Sequence, residues 1–215
     1  MAGKAATEEL ELIELGGGRG PRDAGFGRDD AGAPLVPQRI YFTGIWLALA
    51  AILMFFMGLT SSFVVRKGLS GDWVAFSFPR ILWLNTTILL LSSVTIERAR
   101  RALLRDEVAG FHRWWRITTA LGLGFLAGQV VAWQELAAAG VYIASNPSSS
   151  FFYLLTAAHG IHLLGGLTAL LWVGRRPAVA YVRATPLTAV TVSSIYWHFM
   201  DGLWVFLVLL LFLGR

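Results

Sequence analysis

The chain has 215 residues, of which 56% are apolar and only 14% charged, and its mean hydropathy is positive; this balance excludes an ordinary soluble domain and points to membrane helices. Cysteine is absent, which removes disulfides, thiolate catalysis, iron–sulfur clusters and cysteine-ligated zinc together. The net charge of +5 does not read as nucleic-acid binding, because the arginines sit at the ends of apolar runs and no basic stripe interleaves with exposed aromatics.

Residues 1–39 differ from everything after them. They hold eight glycines, three prolines and most of the acids, with few large apolar side chains. The run "GGGRGPRDAGFGRDDAGAP" cannot bury enough surface to offset its ordering entropy and is expected to be a disordered tail. The preceding "EELELIEL" has the pattern of a short amphipathic turn or two. No apolar core of a signal peptide follows Met1, so no cleavable signal is expected.

Five apolar segments follow, at residues 40–65, 81–101, 114–139, 149–173 and 187–213. The first is closed by Arg66 and Lys67, and the second starts after Pro79 and ends in "ERARR". Each is roughly 20 residues or more, enough to cross a ~30 Å hydrocarbon core at about 1.5 Å per residue. Alternation at period two is absent, so the spans are helices rather than barrel strands. The expected fold is all-α: a polytopic membrane bundle of five transmembrane helices at residues 40–215. Lysine and arginine fix its orientation. The tail, the second connection and the fourth connection carry five, six and three, against three, none and one for the first connection, the third connection and the C-terminus. The positive-inside rule then puts the N-terminus in the cytoplasm and the C-terminus outside.

Helices in lipid pack through small residues and a few polar contacts. The third segment carries Gly124 and Gly128 in GxxxG spacing, extended by Gly122 and Ala132, and the fourth carries Ala157, Ala158, Gly160, Gly165 and Gly166. Packing within the chain is the expected use of these faces. Of nine tryptophans, Trp73, Trp83, Trp114, Trp115 and Trp172 lie near segment ends, where indoles favour the interface, whereas Trp46, Trp133, Trp197 and Trp204 lie deeper and are expected in the core.

Polar groups inside the spans need partners. His159 and His162 are three apart in the fourth segment and are expected on one face; His198 and Asp201 repeat the spacing in the fifth, and Gln129 and Asn85 add amides. Four readings compete. Haem ligation needs two opposed histidines at one depth. A zinc or di-iron centre would draw on His159, His162, His198 and Asp201, yet HExxH and Glu-x-x-His are absent. A transport path usually shows internal repeats or broken helices, and none is present. The fourth reading is structural: Asp201 accepts hydrogen bonds from a histidine of the fourth helix or from His198 and pins the two helices together. On physics alone the fourth is preferred, with no catalytic centre, metal or cofactor in the chain. Arg98, Arg100, Arg101 and Arg105 cluster after the second span, where they set topology or bind anionic lipid head groups, and Glu97 is spaced to pair with Arg101.

Two stretches are more specific than composition. "SSSFFYLLTAAHGIHLLGGL" followed by "YWHFMDGLWVFLVLLLFL" resembles subunit III of the haem–copper oxidases, through His159, Gly160 and His162 and then Tyr196, Trp197, His198, Phe199, Asp201, Trp204, Phe206 and Leu207. Pro79, Leu84, Asn85, Thr86 and Ser92 fit the same family in the second span, and Gln129 fits its glutamine in the third. The resemblance covers about residues 40–215. It implies a five-helix bacterial form, lacking the first helix pair of the seven-helix members and with Ile52 where many members carry a glutamate. It also implies a multi-pass protein of the bacterial inner membrane that holds no haem or copper itself. Such a subunit packs on subunit I, in a complex with subunit II, and binds phospholipid; its partners reduce oxygen and pump protons in aerobic respiration, with membership of a respiratory supercomplex left open. Subunit III of a quinol oxidase and the accessory protein of nitric oxide reductases are the nearby alternatives; a stand-alone small membrane cytochrome b is the alternative of another class.

Overall fold

The computed structural model describes residues 38–69, 71, 79–175 and 184–214. The expectations for residues 1–37, and for Trp73 at an interface, lie outside those residues. Among the described residues the chain is all helical, with five helices: α1 (Gln38–Leu69), α2 (Ile81–Leu104), α3 (Val108–Ala138), α4 (Pro147–Gly174) and α5 (Ala184–Gly214). Four of them, α1, α3, α4 and α5, are long and apolar enough to cross a membrane. α2 is less apolar, because Asn85, three threonines, two serines and the Glu97–Arg101 segment interrupt its leucines. Its 24 residues nonetheless give a rod of about 36 Å.

The helices overrun the apolar segments. Arg66 and Lys67 occupy the last turn of α1 rather than following it, and Arg98, Arg100 and Arg101 are inside α2. α3 begins at Val108, before the apolar run at residue 114. Lysine and arginine are good helix formers whose long stems reach the interface, so apolarity ends before the helix does. The turns are compact. Between α2 and α3, Asp106 takes a positive φ of 58°, and the Glu107 N–H donates to the Ala102 carbonyl. After α3, Gly140 at φ 77° lets the Val141 N–H reach the Leu136 carbonyl, which closes the helix end. α4 starts with Pro147 behind an Asn146–Ser149 capping box.

α2, α3, α4 and α5 form a closed ring in which each packs on the next and α5 returns to α2, while α1 lies across the seam of α4 and α5. Glycines set two of the closest approaches. A Cβ at Gly122 would stand 2.8 Å from the Trp197 ring, and one at Gly128 would overlap the Asn85 carboxamide. Gly124, the other member of the GxxxG pair, faces open space. The contact spacing is therefore Gly122 and Gly128, set by one large aromatic and one amide, rather than the GxxxG pair.

The tryptophans also divide differently from the expectation. Trp197 and Trp204 are in the core, and Trp83 and Trp172 are exposed. Trp115, near a helix end, is buried within the bundle, and Trp46 is 61% exposed rather than in the core. Depth along a span fixes distance from water; it does not fix which way a side chain points around the helix.

Candidate functional site

The interior of the ring is built around the motif stretch of α5. Trp197 and Trp204 are seven residues apart, two helical turns, and so share one face. Each indole N–H donates to a hydroxyl on α2: Trp197 to Ser92 Oγ at 2.8 Å and Trp204 to Thr86 Oγ1 at 3.1 Å. Both hydroxyls in turn donate to carbonyls of their own helix, Ser92 to Leu89 and Thr86 to Leu82. Every polar atom in these two stacks is thus engaged, as a membrane interior requires. Thr86 and Ser92 were visible as motif residues in the sequence, but their partners were not.

The same device joins the other neighbours. Trp115 donates to the Leu170 carbonyl at 2.8 Å and Trp133 to Thr156 Oγ1 at 3.1 Å, both from α3 to α4. The Tyr196 hydroxyl donates from α5 to the His162 carbonyl on α4 at 2.8 Å. Thr95 and Thr118 share a hydrogen bond of 2.8 Å between α2 and α3. None of these aromatic donors is evident from hydropathy; their signal is a surplus of indoles and phenols beyond what two interfaces need.

The polar residues singled out in the sequence separate. His159 is fully buried, with ring centroids 5.0 Å from Trp204 and 5.8 Å from Phe125. Neither of its ring nitrogens has a hydrogen-bond partner among the described residues. His162 turns instead toward α1, 5.5 Å from Phe56 and 5.9 Å from Phe55, and its Nδ1 donates to the Ala158 carbonyl of its own helix at 2.8 Å. His198 stands at an exposed edge and shares a 2.6 Å hydrogen bond with Ser93 Oγ of α2. Asp201 is 3% exposed and lies beside Ser93 of α2; by distance and angle neither carboxylate oxygen accepts a well-aligned hydrogen bond among the described residues. Among the described residues, the expected hydrogen bond to Asp201 from a fourth-helix histidine or from His198 is not formed. Residues three apart on a helix differ by about 60° in direction, so one of each pair faces the core and the other its edge. The link from α4 to α5 runs through the backbone carbonyl of His162, not through its ring. Asn85 and Gln129 are 1% and 3% exposed, with no hydrogen-bond partner for either amide among the described residues.

The basic cluster on α2 is partly self-engaged. Arg100 grips Glu97 with two bonds of 2.9 Å, Arg101 adds a third at 2.8 Å, and Arg98 lies 4.9 Å above the Trp114 ring. Arg105 is exposed beyond the helix end. Ser93, Val94, Glu97, Arg98, Arg101 and His198 line a cleft of about 490 Å³. His198 also borders an apolar groove of about 330 Å³ between α1 and α5, walled by Leu53, Phe56, Met57, Phe199, Leu203 and Phe206. Among the described residues, no three histidine, aspartate or glutamate side chains come together to hold a metal ion. His159 packs against two aromatic rings, those of Phe125 and Trp204.

Comparison with known proteins supplies the remaining observation. The family described as cytochrome c oxidase subunit III matches residues 40–214. The chain is 33% identical to cytochrome c oxidase subunit 3 of Thermostichus vulcanus over 179 residues, covering 79% of this chain and 85% of that one. It is 36% identical to the probable cytochrome c oxidase subunit 3 of Nocardia farcinica over 171 residues, covering 76% and 81%. Its identity to the probable cytochrome c oxidase subunit 3 of Mycobacterium tuberculosis is 34% over 181 residues, covering 80% and 86%.

Proposed function

This chain belongs to the cytochrome c oxidase subunit III family, and from that premise we propose that it is the non-catalytic subunit III of an aerobic respiratory haem–copper oxidase. In this reading subunits I and II reduce oxygen and pump protons, and the chain packs against subunit I and stabilises the complex. The observation that carries the reading is the family match over residues 40–214, which spans all five helices. The interior agrees with it. Its aromatic and hydroxyl groups are spent on holding helices together, and the three intramembrane histidines do not converge: His159 packs on Trp204, His162 on Phe56 and His198 on Ser93.

The membrane placement belongs to the same proposal. α2 is the fifth span, the N-terminus and residues 1–39 lie in the cytoplasm, and the membrane is the bacterial inner membrane. The support is the bias of lysine and arginine and the position of Arg98, Arg101 and Trp114 at one end of the ring. Phospholipid is the small-molecule partner: an acyl chain fits the apolar groove between α1 and α5, and an anionic head group fits the adjoining cleft lined by Arg98 and Arg101.

Affinity purification of the tagged chain from native membranes in mild detergent tests the assignment. Co-migration with a haem–copper subunit is the expected result. Recovery of the chain with no haem-containing partner, under conditions that keep the oxidase intact, would overturn it. The copper content of the recovered complex separates a cytochrome c oxidase from a quinol oxidase, which lacks the dinuclear copper centre.

A further inference from the structure

We infer that Asn85, Gln129 and His159 enclose a small water-binding site at the centre of the α2–α5 ring. The three side chains come from three different helices and are 1%, 3% and 0% exposed. All six of their polar atoms, two on each residue, lack a hydrogen-bond partner among the described residues. Shared neighbours put them at one level. The Asn85 carboxamide lies against Gly128, the residue before Gln129. Thr86, next to Asn85, accepts from Trp204, whose ring lies 5.0 Å from that of His159. Phe125, one turn before Gln129, lies 4.8 Å from Trp204 and 5.8 Å from His159.

Chemistry selects the ligand. Amides and imidazoles left bare in hydrocarbon cost several kcal/mol each, so they are bridged rather than idle. Asn85 and Gln129 each offer a carbonyl and an NH₂, and a neutral imidazole offers one donor and one acceptor. None of the three side chains is a carboxylate, a lysine or an arginine, so the group has no fixed charge to pair with an ion. A neutral molecule that both donates and accepts fits, and it is small, because Phe125 and Trp204 already fill the surrounding volume. Water meets all three conditions, and an internal water typically binds about three polar groups. The site is a polar keystone shared by α2, α3 and α4, separate from the His198 cleft.

The test is a density map of the chain in its native complex, at a resolution that shows ordered water. The expected result is at least one peak at about 2.7–3.2 Å from polar atoms of two of the three side chains. Gln129→Leu in the same complex should lose at least one such peak while Trp204 stays on Thr86. If that variant does not assemble, the unaltered complex still decides. A map with no peak there, whether or not the three side chains bond one another directly, overturns the inference, and so does a peak with the coordination of an ion. The readout is the same whichever subunits accompany the chain, so it stands or falls apart from the oxidase assignment.

Discussion

α1 and the ring of α2–α5 are held by different forces. Around the ring, each helix is tied to its neighbours by directed hydrogen bonds from buried or half-buried side chains, as in Trp197 to Ser92, Trp204 to Thr86, Trp115 to Leu170, Tyr196 to His162 and Thr95 to Thr118. α1 is attached through ring packing, Phe56 on His162 and Phe63 on Phe151, with a long 3.5 Å bond from Lys67 to the Leu213 carbonyl at one end. The apolar window of α1 is 11% buried, against 28% for α3, 44% for α4 and 50% for α5. Apolar area gives little attraction between helices in lipid, so directed bonds and close backbone approach decide which helices form the stable unit. α1 has most of its surface left for lipid or another subunit.

The contrast breaks first at Trp197. Trp197→Ala removes a fully buried indole that packs over Gly122 and binds Ser92. It should cost about 3–5 kcal/mol and lower recovery of the chain in its complex more than tenfold. Recovery near the wild-type level would show that the ring does not depend on α5 in this way. Next is Gly128→Leu, which forces a side chain into Asn85 and should cost about 1–3 kcal/mol, seen as a lower thermal midpoint of the complex. Trp204→Phe keeps the packing but removes the donor to Thr86, at a cost of about 1 kcal/mol or less. Combining it with Thr86→Val should cost less than the sum of the two single changes, because both remove the same bond; simple additivity would mean that the bond contributes nothing. The smallest effects belong to α1. Gly58→Leu meets nothing within 4 Å and Trp46→Ala removes a 61% exposed ring, so each should stay within about 0.5 kcal/mol in thermal midpoint. Should Gly58→Leu or Trp46→Ala instead detach the chain from its complex, that face of α1 is where another subunit sits.

Hydropathy made the helices legible, most directly the four that are long and apolar enough to cross a membrane. It did not reveal their ends, since Arg66, Lys67 and Arg98–Arg101 extend helices past the apolar core. The seven-residue spacing of Trp197 and Trp204 announced a shared face. Their acceptors were hidden, because Thr86 and Ser92 sit on a helix whose neighbour depends on how the chain returns. The histidines were the least legible. A three-residue spacing lies close to the boundary between core and edge, so His159 and His162 read as one face and occupy two. Asn85 and Gln129 were recognised as polar, but their convergence with His159 depends on contacts across three helices.

As the proposed subunit III, this chain would lend structure to a redox enzyme while housing none of its redox centres. Haem and copper can be quantified in the purified complex before and after selective removal of this subunit by detergent. The account predicts unchanged haem and copper per subunit I, with an unchanged reduced-minus-oxidised spectrum. Loss of haem or copper in proportion to the chain removed would contradict it.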